Sequence, residues 1–137
     1  MTDYFNTVLP EDEIRAMSSL ALAHIGDAVY ELLVRTHLCR SGLLTAGSLH
    51  GQTVKYVSAP AQASAAEVIL PALTQDEAEA FRRGRNCKVH SVPKNADISQ
   101  YHAATAIEAL FGWLYLHGRL NRINELFVMI MEGGSGT

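Results

Sequence analysis

Apolar residues recur at helical spacing along almost the whole of this chain, and no hairpin dipeptide separates two alternating apolar–polar runs. That pattern speaks against a sheet and for an all-α class, a compact bundle in which helices bury apolar stripes against one another. A chain of 137 residues suits one domain with a core large enough to need no metal or bridge. The domain is expected over residues 1–132, with Gly133 to Thr137 as a fraying, flexible tail.

The segments follow from their punctuation. Pro10 and the acids Glu11, Asp12 and Glu13 open a short helix to Met17, the acids suiting the positive end of its dipole. A long helix runs from Ser19 to Cys39, with Ile25, Val29, Leu32, Leu33 and Leu38 as its apolar positions and Gly42 beyond its end. Thr45 to Ser58 is helical, carrying Leu49, Val54 and Val57, and so is the alanine-rich stretch Ala59 to Leu73. Thr74-Gln75-Asp76-Glu77 is a capping-box pattern, opening a helix to Arg83 with Gly84 as its stop. Asn86 to Asp97 reads as a loop. Ser99 is the expected cap of a helix to His117, with Ala103, Ile107, Leu110, Phe111 and Leu114 as its core stripe. Asn121 is the expected cap of the last helix, which carries Ile123, Leu126, Phe127 and Ile130.

Composition removes several function classes. Hydrophobic residues at 48% against 18% charged exclude a disordered chain. A net charge of −3 argues against a polycation, though it leaves local patches open. Cys39 and Cys87 are too few for a disulfide framework and read as reduced thiols of a cytoplasmic protein. No apolar run approaches a membrane span, and Met1 to Glu13 lacks the basic and apolar regions of a secretory signal, so no membrane association is expected. Cys87-Lys88-Val89-His90 supplies one Cys-x-x-His pair and no second, which is not a zinc pattern. Neither a Gly-x-Ser-x-Gly elbow nor a phosphate loop occurs.

Two acids stand out because each interrupts an apolar helix. Asp27 lies in Ala23-His24-Ile25-Gly26-Asp27-Ala28-Val29, and Glu108 in Ala104-Thr105-Ala106-Ile107-Glu108-Ala109-Leu110. An ionised carboxylate among apolar neighbours is unfavourable unless paired or bound to a metal. On pattern alone the plainer reading is an arginine partner for each at a helix surface. The alternative rests on Ala23, Gly26, Ala104, Thr105 and Gly112, small residues that let two helix backbones approach and leave room between the acids. A pair of hard oxygen ligands with space for water suits Mg²⁺. Glu31 is either a third acid of that site or the partner of Arg35 one turn on, and the pairing is the preferred reading. Arg82, Arg83, Arg85, Lys88 and Lys94 place five of the 11 Lys and Arg in one short acid-free stretch. It reads equally as a solvated helix end with a charged loop, or as a phosphate-contacting edge.

Leu20-Ala21-Leu22-Ala23-His24-Ile25-Gly26-Asp27-Ala28-Val29-Tyr30-Glu31 resembles the signature helix of the ribonuclease III catalytic domain, and more closely that of its short bacterial form, Mini-ribonuclease III. Arg83-Gly84-Arg85-Asn86-Cys87-Lys88, Pro93-Lys94-Asn95-Ala96-Asp97 and Thr105-Ala106-Ile107-Glu108-Ala109-Leu110-Phe111-Gly112 agree in order and spacing, from Ser18 to Glu132. The resemblance implies an all-α homodimer of the ribonuclease III type that cuts double-stranded RNA with Mg²⁺, leaving 5′-phosphate ends. For the short form it implies the large-subunit (23S) ribosomal RNA precursor as substrate, with a ribosomal protein that shapes it as a candidate partner. Asp27 and Glu108 take the catalytic and metal-binding positions. Arg83, Arg85, Asn86, Lys88, Lys94 and Asn95 take the RNA-binding ones. Ala23 and Thr105 stand where the full-length enzymes carry a glutamate and an aspartate, which puts a second metal in doubt. His24 stands where they carry an aromatic that plugs into the partner subunit. The rival expectation is a non-catalytic helical RNA-binding or ribosome-associated module, and a third is a protein-interaction bundle without RNA.

Overall fold

In a computed structural model the described residues are 1–42, 45–87 and 92–135. Among them lie seven α-helices and no strand: α1 (Glu11–Ala16), α2 (Ser19–Arg40), α3 (Ala46–Val57), α4 (Ala59–Ile69), α5 (Gln75–Asn86), α6 (Ile98–Leu116) and α7 (Leu120–Ser135). A short 3₁₀ turn, Leu70–Ala72, carries the chain across Pro71. The all-α expectation holds.

Helix α6 is the axis of the bundle. Beyond its polar first turn it is mostly apolar, and Ile107, Leu110, Phe111 and Leu114 are completely buried, because α2, α4, α5 and α7 all pack on it. The α2–α6 crossing is set by two glycines. A Cβ on Gly26 would stand 1.6 Å from the Glu108 carbonyl oxygen, and one on Gly112 would stand 2.0 Å from that of Leu22. The two backbones are therefore in direct contact there. Tyr30, next along α2, stacks edge-on against Phe111 and Phe127 at 5.3 and 6.0 Å between centroids, joining α2, α6 and α7.

Caps explain most boundaries. Ser18, Thr45 and Ser58 each accept a hydrogen bond from a first-turn amide of α2, α3 and α4. Thr74 and Glu77 form the complete capping box of α5. Glu77 is buried, and Arg122 of α7 holds both of its carboxylate oxygens at 2.9 Å while donating to the Ala72 carbonyl at 2.8 Å. Burial raises the Glu77 carboxyl, yet Arg122 and the cap outweigh it and hold the group below its ordinary value. At the other end Leu9 N–H donates to Leu116 O at 2.9 Å, and His117 meets Glu11 at 2.6 Å, so α1 is tied to the end of α6. Cys39 and Cys87 are free thiols.

Several expectations need correction. Gly84 does not stop α5; it is buried inside the helix, where a Cβ would meet Ala109 at 2.8 Å and Ala106 at 3.0 Å, so it serves a close helix approach. Asp97, not Ser99, caps α6, its carboxylate accepting from the Ser99 N–H. Asn121 lies within α7, not before it. The buried row of α2 is Leu22, Ala23, Gly26, Tyr30, Val34 and Leu38, while Leu32 is exposed. On α3, Thr53 is buried and Val54 exposed. Both slips have one cause: these helices carry apolar residues on more than one face, so spacing alone does not select the inner one.

Candidate active site

The glycine crossing brings the two acids together. Gly26 presses on the Glu108 carbonyl, and Asp27 follows it on α2, so its carboxyl reaches hydrogen-bonding range of the Glu108 carboxyl. Asp27 is exposed and Glu108 half-buried. Among the described residues no Lys, Arg or His forms an ion pair with either, so the arginine-paired reading finds no partner there. Burial, and then the neighbouring Asp27, pushes the Glu108 carboxyl up to about 8; the Gln62 amide pulls the other way. Tyr30 is raised as well, by burial and by Glu108. The result is two crowded carboxyl groups without a cationic partner among the described residues, a strain that a cation would relieve.

The other sequence candidates fall into place around it. Glu31 pairs with Arg35 at 3.0 Å, one turn along an exposed face, as the spacing favoured. Among the described residues no group of three or more His, Cys, Asp or Glu is arranged to hold a metal. Gln62, which sequence reading passed over, is buried on α4 and donates from Nε2 to Glu108 Oε2 at 3.4 Å. Its helix also carries Ser64 and Glu67, both exposed, so no sequence signal separated Gln62 from an ordinary surface residue. Two carboxylates with an uncharged donor behind one of them fit a hard, hydrated cation such as Mg²⁺ better than a soft metal.

The basic stretch is split between a helix and a loop. Arg82, Arg83, Arg85 and Asn86 form the exposed last turns of α5. Gly84, in their midst, packs on Ala106 and Ala109, beside Glu108 on α6, which places the basic end next to the acids' helix. Arg85 lies over the Phe81 ring and borders a cleft of about 330 Å³ between α4 and the first turn of α6. Lys94 and Asn95 are exposed in the segment before α6. Lys88 lies outside the described residues. Arg82, Arg83, Arg85 and Lys94 make no ion pair among the described residues, so their charge is not neutralised by neighbouring acids.

An all-helical bundle with two acids at a glycine crossing and a basic helix end beside them has the form of a nuclease. The Ribonuclease III domain model matches residues 20–119. The chain is similar to Mini-ribonuclease 3 of Symbiobacterium thermophilum, 46% identical over 107 residues (78% of this chain and 82% of that one). It is 42% identical over 128 residues to Mini-ribonuclease 3 of Thermoanaerobacter sp., covering 91% and 90% of the two chains. A crystal structure of a Fusobacterium nucleatum protein superposes with a TM-score of 0.78 at 28% identity, over 89% of this chain and 98% of that one. The chain belongs to the ribonuclease III domain family, alongside its Mini-ribonuclease 3 members. As such it is an endoribonuclease of the double-strand-specific kind. No helix among the described residues is long and apolar enough to cross a membrane.

Proposed function

We propose that Asp27 and Glu108 form the catalytic site and together hold Mg²⁺. The observation that carries this is their direct approach across the Gly26 crossing without a cationic partner among the described residues. When bound, Mg²⁺ supplies Lewis-acid polarisation of a phosphate oxygen and activation of water. The protein's own part is placement. The backbone contact fixes the two acids relative to each other, Glu108 stays partly shielded from solvent, and Asp27 is exposed, open to a substrate phosphate.

Arg83, Arg85, Lys88 and Lys94 are proposed to neutralise RNA phosphates, and Asn86 and Asn95 to reach sugar or groove-edge groups. The duplex is read by shape and 2′-hydroxyls more than by sequence. Cleaving both strands requires two sites, and we propose a homodimer formed over the outward row of α2. Leu20 and Leu32 on that row are 41% and 56% exposed, with His24 and Ala28 between them. The proposed natural substrate is the paired ends of the large-subunit (23S) ribosomal RNA precursor in the cytoplasm, with a ribosomal protein shaping it; family membership supports this.

The test is cleavage of a perfect RNA duplex by purified protein, with Mg²⁺ or with a chelator. Cleavage should require the metal and fall on the order of 100-fold or more in Asp27→Asn with helicity unchanged. A variant that cuts at near wild-type rate refutes the assignment. Duplex retention without metal-dependent cleavage by the wild type would instead identify a non-catalytic RNA-binding module.

A further inference from the structure

Three buried polar or charged side chains occur among the described core residues: Thr53, Gln62 and Glu77. Two of them are accounted for locally. Thr53 donates to the Leu49 carbonyl of its own helix at 2.7 Å, and Glu77 serves the α5 cap and Arg122. Gln62 differs. It is 2% exposed, sits on the inner face of α4 beside Ala65 and Ala66, and sends its amide across to Glu108 of α6 at 3.4 Å. Nothing in the packing of an alanine-rich helix calls for an amide there; a Met or Leu would fill the space without a polar group to satisfy.

We propose that Gln62 is a positioning residue: from α4 it holds one oxygen of the Glu108 carboxyl, leaving the other turned toward Asp27 and the metal. The chemistry of the side chain suits this task. A carboxylate that is to bind a cation needs its orientation fixed but its charge left intact. An arginine in the same place would neutralise Glu108 and repel a divalent ion, as Arg122 neutralises Glu77 elsewhere in this fold. A carboxamide donates a hydrogen bond and carries no charge, so it orients without competing. Three helices then contribute to one site: α2 through Asp27, α6 through Glu108 and α4 through Gln62. Outer partners of this kind tune metal affinity by fixing the ligand.

This inference rests on the two-carboxylate reading, and the experiment separates their failures. Mn²⁺ is titrated calorimetrically into wild type, Asp27→Asn and Gln62→Met, and cleavage of a duplex is followed against Mg²⁺ concentration. Wild type should bind Mn²⁺, Asp27→Asn should lose that binding, and Gln62→Met should bind about 10-fold more weakly. In Gln62→Met the KM for RNA should stay unchanged while the Mg²⁺ requirement rises, and raised Mg²⁺ should restore much of the rate. Absence of Asp27-dependent Mn²⁺ binding in wild type would overturn the two-carboxylate reading itself. Wild-type Mn²⁺ affinity in Gln62→Met, with or without a lower melting temperature, would overturn the role of Gln62 alone. Should Gln62→Met fail to fold, the side-chain amide resonance of Gln62 in ¹⁵N-labelled wild type decides. It should move when Mg²⁺ is added, and a resonance that stays in place through saturation refutes the proposal.

Discussion

Replacing Glu108 by Gln should make the metal-free protein more stable in alkaline solution while destroying its Mg²⁺ response. The carboxyl sits at about 8 in the fold against an ordinary 4.5, from burial first and Asp27 second. Below pH 4.5 it is protonated in folded and unfolded chains alike and contributes no slope. Between about 4.5 and 8 the unfolded chain releases the proton and the folded chain keeps it, so folding stability falls as pH rises. Above 8 the full penalty of ionising a buried carboxyl beside Asp27 is present. Its ceiling is ~5 kcal/mol at about 1.4 kcal/mol per pH unit. Partial exposure and sharing of the interaction with Asp27 bring this down to ~2 kcal/mol. The neutral amide of Glu108→Gln keeps an acceptor for Gln62 and offers a donor to Asp27. Its advantage over wild type should grow from near zero at pH 4.5 to about 6 °C in melting temperature at pH 9, measured by circular dichroism in chelator. Mg²⁺ in excess should then close the gap by stabilising wild type alone. A wild type and variant that melt together at every pH would refute the claim that these carboxyls meet.

Gly26→Ala and Gly112→Ala should each lose more than ~3 kcal/mol, since the added methyl overlaps a main-chain oxygen that has no rotamer to escape into; thermal melts or loss of soluble protein report it. Arg122→Met should destabilise by ~3 kcal/mol at neutral pH by leaving the buried Glu77 carboxylate unpaired. Because Arg122 holds that carboxyl below its ordinary value, the stability it brings is present above the unfolded value and fades in acid, so the deficit should shrink in melts at low pH. Removing Arg83 and Arg85 together should weaken duplex binding. The slope of log affinity against log salt should become shallower by about one for each phosphate no longer neutralised, as read by filter retention.

Much of this arrangement was legible because local chemistry and packing agree. The α5 capping box, the Glu31–Arg35 pair and the inner rows of α6 and α7 follow directly from spacing. Other features depend on a neighbour the chain order does not reveal. Gly84 looks like a terminator until Ala106 and Ala109 of α6 are brought against it. Leu32 looks like core because α2 is apolar on several sides, and the tight crossing at Gly26 is what turns Tyr30 and Val34 inward instead. Asp97 outcompetes Ser99 as a cap because its carboxylate reaches both the amide and the hydroxyl of that serine. Gln62 was invisible for a simpler reason: an amide among alanines has no sequence pattern that names its partner 46 residues away.

If Asp27 and Glu108 hold a cation as proposed, the meeting of main chains at Gly26 would also decide which ions the site prefers. With carbonyl against α-carbon, the anchors of Asp27 and Glu108 have no slack to spread or shorten without unseating two helices. Only the side-chain torsions remain, and Glu108 is tethered even there. A cation bound there would have to accept a preset span, which would favour small ions that keep their own water as filler and handicap larger ones that need many protein oxygens to wrap around them.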